Sequence, residues 1–311
     1  MVRLSIIIPF YNVEQYIAQC LDSVYQQDIP EEEYEVICVN DCSPDKSREV
    51  VVEYREKHAN LKLVEHERNK KLGGARNTGL KAANGQYIWY VDSDDELMPN
   101  VLGKLLETAE KGNLDILQFE YAHERHPQPQ EQNLDSTIQR GEAYLFEKEY
   151  WTWAEKVCGA WRQLIRRAFV VEKEMTYIED AMYEDTDYLI HLFVEAERVQ
   201  KVSIIGYMYR ENESSITKAP LSAQKLAWRV NLIARCSRYY TQVTTEKARR
   251  MLQQMIANSL SRIREDINRL SCRQKMEYLR KIAPELISCK PFVNWRTWLA
   301  IRYAITLFIK K

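Results

Sequence analysis

Apolar runs and amphipathic segments alternate along the N-terminal third of the chain. Leu4–Pro9 is a largely apolar run of the kind found in strands buried on both faces. Glu14–Gln26 follows with apolar residues at helical spacing. The alternation predicts strands over Leu4–Pro9, Tyr34–Val39, Leu61–Glu65 and Ile88–Val91, and helices over Glu14–Gln26, Ser47–Lys57 and Gly73–Ala83. We therefore expect an α/β fold with a doubly wound, mostly parallel sheet and helices on both faces.

The pattern is less regular in the rest of the chain. It predicts a strand over Ile116–Tyr121, an amphipathic helix over Tyr183–Ala196, and a strand pair or one bent strand over Val199–Arg210. After Pro220 the sequence is rich in Arg, Leu, Ile and Gln and poor in glycine, which predicts helices. We expect one domain over residues 1–220, with halves 1–100 and 101–220, and a helical region over residues 221–311.

Charge divides the chain at the same place. The net charge is −1, but residues 221–311 hold 19 Lys or Arg against 5 Asp or Glu, and residues 1–220 hold 25 against 40. Such asymmetry suggests that the basic region meets an anionic surface. Membrane lipid, nucleic acid and the acidic half of the chain are all candidates.

The seven cysteines are scattered and form no C-x-x-C pair. Their spacing favours buried thiols in a reducing compartment over a zinc site or a disulfide framework. The N-terminus enters a strand almost at once, without the charged and apolar regions of a secretory leader. These features predict a cytoplasmic protein.

Three carboxylates follow the strand that ends at Val91. Asp92, Asp94 and Asp95 lie where this strand leaves the sheet, at the edge where open α/β sheets bind ligands. Carboxylates so close together repel one another unless a cation lies among them, and Mg²⁺ takes one or two protein carboxylates together with substrate phosphates. The alternative is an acidic turn that caps the helix expected near Pro99. The motif alone leaves both interpretations open.

Several segments, in order, carry a resemblance that none carries alone. They are Ser5–Asn12 (SIIIPFYN), Val39–Asp45 (VNDCSPD), Gly73–Leu80 (GGARNTGL) with Gly85–Tyr87, and Asp92–Asp95 (DSDD). Together they resemble the nucleotide-binding half of the family 2 glycosyltransferases, which have the GT-A fold. Tyr183–Asp187 (YEDTD) resembles the downstream acidic motif of that family, and Tyr207–Ile216 resembles the segment that usually follows.

The resemblance implies an enzyme that transfers a sugar from a nucleotide diphosphate sugar, with inversion at the anomeric carbon and with Mg²⁺ or Mn²⁺. It implies nucleotide-binding roles for Pro9, Tyr11, Asn12, Asp41, Lys71, Asp92 and Arg210. Tyr11 would stack on the base, and Asp41 would accept the hydrogen of uracil N3, which favours uridine. Core packing for Tyr11 and a turn cap for Asp41 stay open.

The resemblance also divides the roles of the three carboxylates and marks one departure. Asp94 matches the metal-binding position, Asp92 lies nearer the ribose and also reaches the metal, and Asp95 orients the loop or a sugar hydroxyl. The family usually has a glycine where this chain has Cys42, and the first acidic position of that motif is Asn40. The loop geometry is therefore expected to differ there. For Lys71 and Arg210 the alternatives are a solvated lysine and a surface salt bridge.

Inversion by single displacement requires a base within hydrogen-bond reach of the acceptor hydroxyl. The resemblance favours Asp185 for this role, with Glu184 second, although acidic residues in the first turn of a helix also serve as caps. Trp161 matches a segment that borders the sugar site in relatives. An aromatic face suits a pyranose, but Trp161 could equally be buried in the core.

The C-terminal segment, residues 290–311, mixes tryptophan and aliphatic residues with Arg296, Arg302 and terminal lysines. Its apolar span is shorter than the roughly 20 residues of a membrane-spanning helix. An amphipathic helix of this composition suits the plane of a membrane interface, and the alternative is a helix docked on the protein itself. We expect peripheral attachment to the inner face of the plasma membrane, near lipid-linked acceptors, and no nucleic-acid partner.

The leading hypothesis is thus an inverting sugar transferase that acts on a glycan or lipid-linked acceptor in surface polysaccharide synthesis. One alternative is a nucleotidyltransferase, but Pro9–Asn12 does not supply the glycine-rich basic loop expected after its first strand. Another is a non-catalytic sugar-nucleotide binder or a membrane-associated assembly protein. The presence of both the Asp92–Asp95 cluster and the Glu184-Asp185 pair argues against a site that has lost its chemistry.

Overall fold

The computed structural model describes residues 1–124, 137–146, 159–179, 184–211, 222–268, 271 and 273–274. The chain divides into two compact units. The first comprises Met1–Tyr144, Gly159–Asp180 and Glu195–Ser215, and the second comprises Leu145–Cys158, Ala181–Val194 and Ile216–Lys311. Glu184 and Asp185 therefore belong to the same unit as the C-terminal helices.

One mixed sheet in the first unit contains every strand of the described residues. The strands are β1 (Leu4–Phe10), β2 (Tyr34–Asn40), β3 (Leu61–Glu65), β4 (Tyr87–Tyr90), β5 (Glu96–Leu97), β6 (Ile116–His123), β7 (Gln163–Arg166) and β8 (Val199–Tyr209). Their order is β3-β2-β1-β4-β7-β6-β8-β5. The first four are parallel, β7 is antiparallel to both of its neighbours, and β5 is antiparallel to β8.

Helices of the first unit pack on both faces of its sheet. The described helices are α1 (Ile17–Tyr25), α2 (Ser47–Lys57), α3 (Lys71–Ala82), α4 (Leu102–Lys111), α5 (Gly141–Leu145), α6 (Arg167–Glu172), α7 (Glu184–Glu195), α8 (Ala223–Tyr239) and α9 (Glu246–Asn268). Because side chains alternate along a strand, β1 serves both faces. Leu4, Ile6 and Ile8 belong to the buried cluster that includes residues of α1, α2 and α4. Ile7 points the other way, against Gly79 of α3.

The predicted α/β fold and its N-terminal elements are confirmed, with differences at element ends. Helix α3 begins at Lys71 rather than Gly73, because Gly73 and Gly74 lie inside the first turn and not in a preceding loop. The segment Val199–Arg210 forms one strand, β8, whose pairing with β6 is interrupted by register shifts. The short strands β5 and β7 were not predicted. Cys20 and Cys38 are buried and Cys42 is partly exposed, all as free thiols.

The second unit is helical where it is described. An ion pair joins α8 to α9, with 2.6 Å between Arg229 Nη1 and Asp266 Oδ2. In the described part of the chain, no helix is both long enough and apolar enough to cross a membrane. The amphipathic helix expected over residues 290–311 lies outside the described residues.

Candidate functional site

The candidate site lies at the edge of the sheet where β1 to β4 end. Backbone hydrogen bonds extend the ladder past the strand ends, from Asp41 N–H to Phe10 O at 3.1 Å and from His66 N–H to Asn40 O at 3.0 Å. The strands are parallel, so their carboxyl ends share one edge. Residues that follow these strands, far apart in sequence, are thereby brought to the same place.

The loops after β1 and β2 are joined by hydrogen bonds. Asn12 has a left-handed backbone, with φ 56°, and its N–H donates to Ser43 Oγ at 2.7 Å. Asp45 accepts hydrogen bonds from the Ser43 and Ser47 hydroxyls at 2.6 and 2.7 Å. These contacts hold Tyr11, which is 50% exposed. An exposed ring on a fixed loop is available for base stacking, whereas Pro9 is buried within β1.

Asp41 is buried and anchors the loop that precedes α3. Its Oδ1 lies 2.7 Å from His66 Nδ1 and accepts the Lys70 N–H at 2.7 Å. The Asp41 carbonyl accepts a hydrogen bond from Asn69 Nδ2 at 3.0 Å. Lys71 comes next, with an exposed side chain and a left-handed φ of 63°. Asp41 therefore organises the loop that leads to Lys71.

Cys42 takes the backbone conformation that favours glycine. Its φ is 61°, and its thiol donates to the His66 carbonyl at 3.0 Å. The neighbouring Asn40 fixes the same turn, because its Oδ1 accepts the Ser43 N–H at 2.8 Å. A cysteine thus occupies a left-handed position at this turn, held by a contact that glycine could not make.

The carboxylate cluster after β4 contains an ion pair with a buried arginine of the protein. Asp92 Oδ1 accepts a hydrogen bond from Arg76 Nη2 of α3 at 2.8 Å, and the Arg76 side chain is fully buried. The Arg76 guanidinium also lies over the Tyr177 ring, 5.2 Å from its centroid. The neighbouring Asn77 makes two hydrogen bonds with the Tyr177 backbone. Its Nδ2 donates to the Tyr177 carbonyl at 2.9 Å, and its Oδ1 accepts the Tyr177 N–H at 2.8 Å. Helix α3 is therefore fastened both to Asp92 and to the segment around Tyr177.

Asp95 orients the turn that carries Asp92 and Asp94. It is buried, and its two oxygens accept hydrogen bonds at 2.8 Å from the Tyr207 hydroxyl and the Arg210 N–H. The Tyr207 hydroxyl in turn accepts the Asp92 N–H at 3.2 Å. Burial, followed by repulsion from Asp92 and Asp94, raises the pKa of Asp95 to about 8. Of its two expected roles, these contacts favour orienting the loop.

The remaining sequence candidates at this edge have the following surroundings. Asp94 is partly exposed. The Arg210 side chain pairs with Glu96 and lies over the Tyr16 ring, 5.4 Å from its centroid. Among the described residues, no group of three or more His, Cys, Asp or Glu is arranged to hold a metal ion.

Trp161 is packed inside an aromatic cluster. Its ring stacks on Tyr207, with 4.5 Å between centroids and 11° between planes, and meets the edge of Tyr121 at 4.8 Å. Its carbonyl accepts a hydrogen bond from Trp89 Nε1 at 2.7 Å. These contacts favour the packing role, and contact between Trp161 and a sugar stays a prediction.

In the second unit, helix α7 carries the candidate bases. Glu184 is buried and Asp185 is partly exposed, both in the first turn. Asp187 Oδ2 lies 2.9 Å from Arg235 Nη2 of α8, and the Tyr239 hydroxyl lies 3.3 Å from Asp187 Oδ1. The C-terminal helix α8 therefore holds the turn that carries Asp185.

Three contributors to the first unit's site received no role in the sequence. His66 and Tyr207 contact the candidate carboxylates Asp41 and Asp95, and Arg76 contacts Asp92. Arg76 and Tyr207 stood inside motifs already quoted. The only sequence signal for His66 is its place directly after β3, at the edge where the other candidates gather.

Comparisons with known proteins identify the family of this chain. A family model described as "Glycosyl transferase family 2" matches residues 5–170. The chain is 34% identical over 224 residues to the uncharacterized glycosyltransferase EpsJ of Bacillus subtilis. The matched region covers 70% of this chain and 63% of EpsJ. It is 39% identical over 118 residues to the poly(ribitol-phosphate) β-N-acetylglucosaminyltransferase TarS of Staphylococcus aureus, covering 38% of this chain and 20% of TarS. The chain therefore spans less than two thirds of the length of these curated relatives.

Solved structures share the fold. The crystal structure of S. aureus TarS 1–349 in complex with UDP-GlcNAc matches with a TM-score of 0.75 and 21% identity, covering 95% of this chain and 83% of that one. The mannosyltransferase PcManGT of Pyrobaculum calidifontis, in complex with GDP-Man and Mn²⁺, matches with a TM-score of 0.54 and 16% identity, covering 98% and 81%. At these identities the likeness concerns the fold.

Proposed function

Because the chain belongs to glycosyl transferase family 2, we propose that it transfers a sugar from a UDP-sugar to a hydroxyl group of a glycan or lipid-linked acceptor in surface polysaccharide synthesis. The observation that carries this proposal is the gathering of Tyr11, Asp41, Asp92 and Asp94 beyond the ends of adjacent parallel strands. TarS, whose crystal structure includes UDP-GlcNAc and whose name specifies a poly(ribitol-phosphate) acceptor, supports both the donor and the class of acceptor.

The nucleoside would bind between the loops after β1 and β2. Tyr11 offers an exposed ring for stacking, and Asp41 offers a carboxylate for the N3–H of uracil. Asn12 and the serines around Asp45 hold the first loop in place. Lys71, whose side chain is exposed, and Arg210, which also pairs with Glu96, are candidates for phosphate contacts at the same edge.

The carboxylates after β4 fit a hard divalent cation, Mg²⁺ or Mn²⁺. Such an ion takes one or two protein carboxylates and the rest of its oxygen ligands from phosphates and water, which agrees with the absence of a larger ligand cluster in the described residues. Asp94, partly exposed, would be the main ligand and Asp92 the second. When bound, the cation stabilises negative charge on the departing diphosphate. The Mn²⁺ in the PcManGT structure supports this assignment.

Asp185 is the proposed base, with Glu184 as the second candidate. In an inverting displacement, the base accepts the proton of the acceptor hydroxyl as that oxygen attacks the anomeric carbon, and the nucleotide leaves from the opposite face. Asp187, in the same turn, is held by Arg235 and Tyr239, which would keep Asp185 oriented.

Nucleotide-sugar hydrolysis and transfer, measured over a panel of donors with Mn²⁺, test the proposal. We expect release of UDP from one UDP-sugar. Asp94→Ala should lower kcat/KM by roughly 10²-fold or more, and Asp185→Asn should lower kcat by at least about 10²-fold. Asp22→Asn, at an exposed position of α1, is the matched control and should keep wild-type rates. Full activity of both site variants would contradict the assigned roles.

The basic C-terminal segment, residues 290–311, is proposed to attach the protein to the inner membrane face. Its tryptophans and basic residues suit an anionic interface. Deletion of residues 290–311 should move the protein from the membrane to the soluble fraction of lysed cells. Unchanged membrane recovery would contradict this assignment.

A further inference from the structure

Asp41, His66 and Thr78 form a chain of polar contacts that joins the ends of β2 and β3 to α3. His66 Nδ1 lies 2.7 Å from Asp41 Oδ1, and His66 Nε2 lies 2.8 Å from Thr78 Oγ1 of α3. The side chains of His66 and Asp41 are only 4% and 5% exposed. An ionised carboxylate can only accept, so Nδ1 carries the hydrogen that Asp41 receives. Thr78, held by α3, fixes the other side of the ring.

The two carboxylate oxygens of Asp41 differ in their surroundings. Oδ1 is engaged by His66 and by the Lys70 N–H. In the described residues, Oδ2 takes part in no hydrogen bond, so the carboxylate is held by one oxygen while the other remains an acceptor. Asn69 steadies the same loop, because its amide donates to the Asp41 carbonyl and its Oδ1 accepts the Lys71 N–H.

We infer that His66 is a positioning residue for base selection, which fixes Asp41 so that Oδ2 meets the N3–H of uracil. The inference rests on the proposed function, because it presupposes a pyrimidine nucleotide at Asp41. Uracil presents a hydrogen at N3, whereas cytosine presents a lone pair at the same position. A carboxylate held in one orientation accepts from the first and repels the second. If the carboxylate could rotate, it would turn away from cytosine and the discrimination would weaken.

The test is the ratio of UDP to CDP affinity, measured by calorimetry with Mg²⁺ on the full-length protein. The unaltered protein should prefer UDP by at least about tenfold, the size expected when a buried polar group loses its partner. His66→Phe keeps a ring but removes both nitrogens, and it should lower this ratio by about tenfold. Thr78→Val removes the second anchor at nearly constant shape and should lower the ratio less. His66→Asn can still donate toward Asp41 and should retain most of the preference.

The control is His58→Phe. His58 stacks on Tyr25 and contacts Glu31, close to the start of β2 rather than its end. That variant should lower the melting temperature and leave the UDP to CDP ratio unchanged.

A purely structural role for His66 predicts a different result. UDP and CDP affinities would then fall together in His66→Phe and Thr78→Val, with the ratio unchanged, and this would overturn the inference. If His66→Phe does not fold, Thr78→Val and His66→Asn carry the test. Equal affinity of the unaltered protein for UDP and CDP would instead refute the uridine assignment in the proposed function, and the inference with it.

Discussion

Arg76 and Asp92 form an ion pair in which the guanidinium is completely buried and the carboxylate is one-quarter exposed. The pair supplies a fixed positive charge to Asp92, so the protein itself offsets one of the three carboxylate charges of the acidic turn. A bound cation then has less charge to neutralise than the sequence alone suggests. Arg76 therefore contributes to the charge balance of the acidic turn together with the three carboxylates.

Arg76→Met should therefore be strongly destabilising. It leaves Asp92 without its partner beside two other carboxylates, and breaking a buried pair costs about 3–5 kcal/mol. Because Asp92 is partly exposed, we expect the free energy of unfolding, measured in urea, to fall by about 3 kcal/mol. Arg48→Met is the control: its partner Glu65 is 47% exposed, and the loss should stay below about 1 kcal/mol. Equal losses in the two variants would contradict the role given to Arg76.

Tyr207→Phe tests whether Asp95 orients the turn that carries Asp92 and Asp94, the proposed metal ligands. The hydroxyl serves both Asp95 and the Asp92 N–H, and its removal should cost about 1–3 kcal/mol of unfolding free energy. Mn²⁺-dependent donor binding should weaken as well, because the turn loses its anchor. Tyr87→Phe removes an equally buried hydroxyl that donates to Ala109 O, away from the site. A comparable effect of Tyr87→Phe on donor binding would count against the assignment.

Cys42→Gly should be tolerated. A residue with a side chain is destabilised by about 1–2 kcal/mol in the left-handed conformation, and glycine avoids this cost. This gain offsets the two losses in Cys42→Gly, which are the thiol contact and the greater conformational freedom of glycine in the unfolded chain. The unfolding free energy is expected to stay within about 1 kcal/mol of wild type. Cys42→Val, with a branched Cβ at the same φ of 61°, should be clearly less stable. Urea titration compares the three proteins, and equal loss in both variants would argue against backbone strain at Cys42.

Glu35→Gln should reveal a pH-dependent contribution to stability. Burial raises the pKa of Glu35, but hydrogen bonds from Lys62, Ser5 and Asn84 outweigh it and hold the pKa below its ordinary value of 4.5. The stabilisation is therefore present above that value and is lost as the pH falls through the folded-state pKa. Unfolding measured from about pH 7 to about pH 3 should show the wild-type advantage shrinking in acid. Glu32→Gln, at an exposed position, should show little advantage at any pH.

Arg235→Met tests the support given to the candidate base. The substitution removes the ion pair between Asp187 and α8, so the first turn of α7 is held less firmly. We expect kcat to fall by about tenfold while donor affinity is unchanged, because the role proposed for Asp185 belongs to the chemical step. Arg238→Met, at an exposed position of the same helix, should keep the wild-type kcat. A fall in donor affinity with unchanged kcat would contradict this role.

Most of the N-terminal half of the sheet could be predicted because β1, β2 and β4 are buried on both faces. Burial of this kind leaves largely unbroken apolar runs such as Ile6–Ile8, and the polar residues at their ends mark the binding edge. The strand Gln163–Arg166 lacks such a signal, since it has four residues and is polar at both ends. Glu96–Leu97 is shorter still.

The residues that support the site could not be assigned in the same way. The place of His66 depends on Asp41 and Thr78, which are 25 and 12 residues away in sequence. Arg76 stood in a quoted motif, but its importance comes from complete burial beside Asp92, which no local pattern records. Candidate ligands could be read from the strand ends, whereas their partners depend on tertiary packing.

Helix α3 has a consequence for the order in which the protein can assemble. Its glycines each weaken a helix by about 1 kcal/mol relative to alanine, so the segment needs neighbours to stay helical. A Cβ at Gly79 would come within 2.2 Å of Ile7 Cγ2, and one at Gly73 within 2.5 Å of the Ile178 carbonyl, so the helix is pressed between both. Tyr177, whose carbonyl accepts a hydrogen bond from Asn77, is synthesised 100 residues after Asn77. A nascent or truncated chain that stops before this segment would hold the first strands without a finished binding edge.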